Sequence, residues 1–439
     1  MIRFDWSVAR TFLARVESST IEITSMIASV KVLVLFVCMV FLIRRKVPIG
    51  YVLLIDAVLA AALFKMDPGG ALRALGSGAF SLDTLYLIAV MLLIIGMGNV
   101  MKAMGSFDRA IESLEALLAD TRAVMAVVPA IIGFLPMPGG AMLSAPMVGT
   151  VARRTQTSGA QNTAINFWFR HVWEYVWPLY PGIILTAALL EIPVRNVAAV
   201  NFPLTCAAIT GGLLFSFRGV VPPELSRRAS ARAGCAKQLA VSLSPIIAVV
   251  VATVVFSVPL LLSLGVVCAV LLIVHRLNKE QLRTVAHETV TAETIFLIVG
   301  VKVFEAVIER SGAASEVVQS FVSIDIVPAV LVVTVPFVLG VLTGATIGFV
   351  GVTFPVLMPF FVGQAGDVAY RYVMLAYAAG FTGVLFSPVH LCLVMTKDYF
   401  KAEFGQVYRL LIAPSLVVIL VAVGWFLFGV EAFVRRTGL

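Results

Sequence analysis

Long apolar runs alternate with short charged stretches along this chain, and no run has the two-residue alternation of a barrel strand. The first run covers residues 23–43 and stops at Arg44-Arg45-Lys46. Other unbroken runs cover residues 47–64, 84–104, 197–217, 238–256, 259–274, 294–308 and 407–428. A helix needs about 20 apolar residues to cross a bilayer, and most of these runs approach that length. The pattern predicts an all-α integral membrane protein. A charged amphipathic stretch, 108–120, separates the third run from the next apolar segment.

Four other apolar segments are interrupted. Residues 122–151 are broken by Leu135-Pro136-Met137-Pro138-Gly139-Gly140, and 162–190 by Trp177-Pro178-Leu179-Tyr180-Pro181-Gly182. Residues 326–361 are broken by Thr343-Gly344-Ala345-Thr346-Ile347-Gly348, and 368–396 by Phe386-Ser387-Pro388. Such Pro/Gly clusters do not continue a helix. The arms beside the first break have about half a membrane-crossing length. Two re-entrant hairpins are therefore expected, at about 121–152 and 325–362.

The interruptions recur in the same order in both halves. Gly96 and Gly105 match Gly300 and Gly312, and Pro129 with Gly133 matches Pro336 with Gly340. Gly139 matches Gly348, Pro146 matches Pro355, Pro178 matches Pro388, and Pro203 matches Pro414. The chain divides into an N-terminal segment of amphipathic character (1–22), a first repeat (23–217), a basic linker (218–237), a second repeat (238–430) and a tail (431–439).

Composition supports the membrane class. Hydrophobic residues make up 60% and charged residues 13% of the 439 residues. Soluble domains carry about 25% charged residues. The net charge of +8 sits in the loops, as expected of cytoplasmic loops, so it implies topology and no nucleic-acid partner. With Arg44–Lys46 inside, Arg109, Arg122, Arg153, Arg154, the 218–237 linker, Arg276–Arg283 and Lys397–Lys401 all fall inside if both hairpins re-enter. The hairpins then enter from opposite sides, and the repeats are inverted. Inverted repeats with Gly/Pro-broken helices in matching positions point to a secondary transporter. The first twenty residues carry Arg3, Asp5, Arg10, Arg15 and Glu17 without an apolar core, so no cleavable signal peptide is expected. Cys38, Cys206, Cys235, Cys268 and Cys392 have no paired spacing, and the four histidines have no metal-motif spacing. Neither metal nor other cofactor is expected.

Ionisable groups within apolar segments are the candidates for chemistry, because burying them is costly. Arg170, His171 and Glu174 cluster just before the break at Pro178, among Trp168, Trp173 and Trp177. Arg170 and Glu174 stand four apart, which predicts one helix face and an ion pair, with His171 in reach of Glu174. His390 follows the matching break. Substrate contacts are expected from Arg170, from the first tip (Pro138, Gly139, Gly140), from the second tip (Thr343, Gly344, Thr346, Gly348) and from Ser387. Glycines admit a ligand to the backbone, and helix N-termini favour an anion. Proton coupling is expected from His171, Glu174 and His390. Asp56 is expected to pack against another helix, and Lys302, Glu305 and Glu309 to snorkel to an interface. No Walker motif suggests ATP use. The expected activity is transport of a small anion coupled to protons or sodium, and not enzymic. The open alternatives are an intramembrane enzyme using His171 and Glu174, and a channel or lipid-moving scaffold.

Three stretches carry a family resemblance: Phe134–Ala141, Asn166–Pro181 and Gly380–His390. They resemble a prokaryotic membrane family known as domain-of-unknown-function family 401. Its architecture resembles the ion-transporter superfamily of dicarboxylate, citrate, gluconate and TRAP large-subunit carriers. That resemblance implies a multi-pass protein of the prokaryotic inner membrane, in contact with lipid. It also implies a scaffold domain, a mobile domain holding both hairpins, a homodimer and an elevator motion. The sodium–dicarboxylate branch carries Ser-Asn-Thr at its tips, whereas this chain carries Pro-Met-Pro-Gly-Gly and Thr-Gly-Ala-Thr-Ile-Gly. Neither that substrate nor that coupling ion is carried over.

The charge pattern places both termini outside and the 218–237 linker in the cytoplasm. A variant retaining Cys235 as its only cysteine should react with a membrane-impermeant maleimide from the cytoplasmic face alone. Reaction from the outer face would reverse the orientation.

Overall fold

The computed structural model describes residues 30–31, 33–118, 120–134, 136, 140–153, 155, 157–220, 232–313, 316, 327–363 and 365–439. Among these the chain is helical, with a single isolated antiparallel bridge between Val362 and Val368. The first half holds α1 (Leu33–Arg44), α2 (Ile49–Leu63), α3 (Pro68–Phe80), α4 (Leu82–Ala103) and α5 (Ser106–Leu117). It continues with α6 (Thr121–Ile132), α7 (Ala141–Ala152), α8 (Gly159–His171), α9 (Pro181–Leu189) and α10 (Val194–Phe215). The second half holds α11 (Arg232–Val254), α12 (Leu260–His275), α13 (Lys279–Thr289), α14 (Ala292–Arg310) and α15 (Pro328–Thr343). It ends with α16 (Thr346–Phe361), α17 (Tyr370–Leu385), α18 (Leu391–Tyr399), α19 (Phe404–Phe428) and α20 (Val430–Thr437).

Among the described residues, four stretches are long and apolar enough to cross a membrane: Pro68–Ala103, Val194–Phe215, Gly234–Val254 and Phe404–Phe428. This is an all-α membrane protein. On α11 and α12, Val241, Ile247, Val255, Leu262, Val266 and Ile273 face outward, an apolar surface suited to lipid. In the segments where hairpins were expected, α6 packs on α7 and α15 packs on α16. The 12 residues of each arm of the first hairpin reach only about 18 Å, short of the roughly 30 Å hydrocarbon core.

The helices start where the sequence caps them. Asp67, Ser81, Asp120, Ser158 and Thr291 each accept a backbone N–H in the first turn of α3, α4, α6, α8 and α14. Several elements differ from the sequence reading. Helices α3, α13 and α20 lie where loops or a tail were expected. Asp67 with Pro68 at the first position starts the Gly-rich α3, and an Asn278/Gln281 capping box starts the polar α13. Helix α11 begins at Arg232, inside the segment read as linker. Asp56 is buried beside Cys38 of α1, the expected helix contact. Lys302 and Glu305 close on each other at 2.5 Å with both side chains largely buried.

The packing that positions the second hairpin is backbone to backbone. On α15, Gly340 seats the carbonyl oxygen of Gly380 from α17, and Gly383 of α17 seats the carbonyl of Phe337. Neither position has room for a β-carbon. Small residues at membrane-helix interfaces allow this closeness. Gly340→Val should therefore destabilise the protein by about 1–3 kcal/mol or more through overpacking, measured as a lower thermal-unfolding midpoint in detergent. An unchanged midpoint would contradict the contact.

Candidate functional site

The inner ends of the four broken segments meet. Each segment contributes one helix that stops (α6, α8, α15, α17) and one that starts (α7, α9, α16, α18). Gly133, just past α6, lies against the Arg170 carbonyl near the end of α8. Gly182 at the start of α9 lies against Thr346, the first residue of α16, and the Tyr377 hydroxyl. Gly344 caps α15 in the left-handed conformation (φ 63°) and sits against Ser387 and the His390 backbone, between α17 and α18. The Asn166 amide of α8 donates to the Ala141 carbonyl at the start of α7 (2.9 Å). All four inner starts lack a side-chain cap: Gly140, Tyr180, Ala345 and His390 make no such bond. Of the outer starts, those of α6 and α8 are capped by Asp120 and Ser158, and those of α15 and α17 have no side-chain cap.

Arg170, His171 and Glu174 lie inside this junction, 2%, 2% and 8% exposed. The helix carrying them ends at His171, six residues before the Trp177-Pro178 break expected from sequence, so Glu174 lies in the turn and not on a continuous face. The Glu174 N–H closes that turn on the His171 carbonyl (3.1 Å). The expected Arg170–Glu174 pair is loose, at 4.0 Å. Arg170 Nη1 donates instead to the Tyr180 hydroxyl at 2.5 Å, and Tyr180 donates onward to the Gly133 carbonyl at 2.6 Å. One side chain thus connects the guanidinium to a carbonyl released by the end of α6. The Tyr377 hydroxyl serves Glu174's own carbonyl (2.8 Å).

His390 and His171 face each other, Nε2 to Nε2, at 3.1 Å, and Glu174 Oε1 is 3.7 Å from His171 Nε2. Cys392, 6% exposed, stands beside both: a nitrogen of each histidine and its sulfur lie within 4.8 Å of one another. The sequence reading gave Cys392 no role. It sits two residues after His390, the one local signal; its third neighbour, His171, is far away along the chain. Tyr180, Tyr377 and Asn166 were also missed, since a hydroxyl or amide gives no pattern in an apolar run. Of the expected substrate contacts, Gly140, Thr343, Gly344, Thr346 and Ser387 lie at or next to the junction. Gly348 faces Thr343 and Ile49 of α2, a packing position. Pro138 and Gly139 lie outside the described residues.

A family model described as "Protein of unknown function (DUF401)" matches residues 27–431. The chain belongs to this family. No curated protein matches it significantly.

In this DUF401 chain a cavity of about 700 Å³ lies beyond α9, lined among others by Asp83, Glu191, Arg195 and Lys302. A smaller cavity shares Leu87 and Ile184 with it and reaches Pro181 and Ile347, next to the tip of the second hairpin.

Tyr180→Phe removes both bonds of the bridging hydroxyl and leaves the guanidinium and the Gly133 carbonyl to find other partners. The variant should lose about 1.5–3 kcal/mol of stability, the scale of a hydrogen bond to a charge, read as a lowered unfolding midpoint. Stability equal to the parent protein's would show that the bridge carries no weight.

Proposed function

We propose that this DUF401 protein is a secondary transporter that moves a small anion across the prokaryotic inner membrane, driven by protons or sodium. The observation that carries the reading is the set of four uncapped helix starts around the buried Arg170. Each start presents backbone N–H groups without an intrahelical acceptor and the positive end of a helix dipole. Together with a guanidinium, such ends favour an anion and leave its apolar part unspecified. Glu174 is the carboxylate in the cluster that a coupling cation would meet. The cavity beyond α9 is a route for the anion from one side of the membrane, and its small extension ends at the second hairpin.

The reciprocal packing supports an internal inverted repeat. Helix α9 of the first half packs on α16 of the second hairpin, while α18 of the second half packs on α7 of the first hairpin. Helix α6 packs on α8 as α15 packs on α17, and α10 packs on its counterpart α19. The two hairpins, entering from opposite sides, would be the gates of an elevator-type carrier working as a homodimer.

Purified protein in proteoliposomes should take up a labelled anion saturably, and a proton or a sodium gradient should raise that uptake. Candidate anions are found first by their stabilisation of the protein on heating. Arg170→Lys should fold, yet bind the anion at least tenfold more weakly, because an ammonium lacks the two-pronged guanidinium geometry. Unchanged affinity would remove Arg170 from the site, and non-saturating flux would favour a channel.

A further inference from the structure

We propose that His171, His390 and Cys392 form a binding site for a d-block metal ion of the zinc class, joining the two halves of the chain. The site stands on its own geometry, whether or not the chain moves anions.

The argument begins with the outer nitrogen of each ring. His171 Nδ1 lies 2.6 Å from the Phe167 carbonyl, and His390 Nδ1 lies 3.2 Å from the Val384 carbonyl. A carbonyl oxygen only accepts, so both Nδ1 atoms carry the hydrogen. In a neutral imidazole the other nitrogen then presents a lone pair. The two Nε2 atoms, 3.1 Å apart, therefore aim lone pair at lone pair, an arrangement that calls for a cation between or beside them. Nδ1–H bonded to a backbone carbonyl with Nε2 directed inward is the arrangement that orients metal-ligating histidines.

The third donor completes the set. The Cys392 sulfur is within 4.8 Å of one ring nitrogen of each histidine. It is in hydrogen-bonding contact with His171 and with the backbone of Ala141, the first residue of α7. A helix N-terminus favours a thiolate. The Val384 carbonyl belongs to the last turn of α17, and helix C-termini favour cations. Zinc–nitrogen bonds of about 2.0–2.1 Å in a tetrahedron separate two nitrogens by about 3.3 Å, close to the spacing found. The donor set is His171, His390 and Cys392, and three protein ligands with a fourth position left for water is an arrangement zinc adopts. Two imidazoles and a thiolate match the preference of zinc and not that of magnesium or calcium. Binding releases the thiol proton.

The test uses full-length protein in detergent, stripped with a chelator and titrated with Co²⁺, a coloured stand-in for Zn²⁺. The wild type should bind about one equivalent, with d–d bands of a tetrahedral ion and a thiolate-to-cobalt charge-transfer band, and Zn²⁺ should displace it. Cys392→Ser should lose the charge-transfer band, while Cys268→Ser, which alters another buried cysteine, should keep it. His171→Gln and His390→Gln should each weaken binding at least tenfold. Cys392→His guards against misfolding: it retains a nitrogen donor and should bind cobalt without the charge-transfer band. No bound cobalt or zinc in the wild type would mean that the facing imidazoles share a proton, and would overturn the proposal. So would a charge-transfer band that survives in Cys392→Ser.

Discussion

A helix that stops in an apolar interior leaves carbonyls on one side and N–H groups on the other that lipid cannot satisfy. Four helices stop this way here, and much of the site consists of side chains that answer those groups. Tyr180 takes the Gly133 carbonyl, Tyr377 the Glu174 carbonyl, and the two histidines the Phe167 and Val384 carbonyls. The carbonyl ends are thus largely served by protein. At the opposing N–H ends the four cap residues make no side-chain bond, and Cys392 stands against the Ala141 backbone at the start of α7.

Charge follows the same division. Arg170 is buried, and its guanidinium is held by the Tyr180 hydroxyl more closely than by the Glu174 carboxylate. The neutral Tyr180 hydroxyl at 2.5 Å orients the guanidinium. The loose carboxylate remains near the imidazoles, so one small volume holds groups suited to an anion and groups suited to a cation.

The fold class was legible because apolar runs and Pro/Gly interruptions are written directly in the chain. All four breaks were visible, and so were Arg170, His171, Glu174 and His390, since a charge within an apolar run stands out. The place where α8 ends was not, because nothing at His171 resembles a helix stop; the tertiary contacts of its neighbours override the local preference. Capped short helices such as α3 and α13 were hidden by glycine and by charge. Cys392, Tyr180 and Asn166 were hidden for another reason: their importance comes from partners up to 230 residues away along the chain, and spacing carries no trace of that.

The glycine contacts between α15 and α17 limit how the molecule can deform. Two helices held apart by side chains can slip as those side chains change rotamer. A carbonyl oxygen lodged in a notch on the opposing backbone has no such freedom. Helices α15 and α17 are therefore one mechanical part.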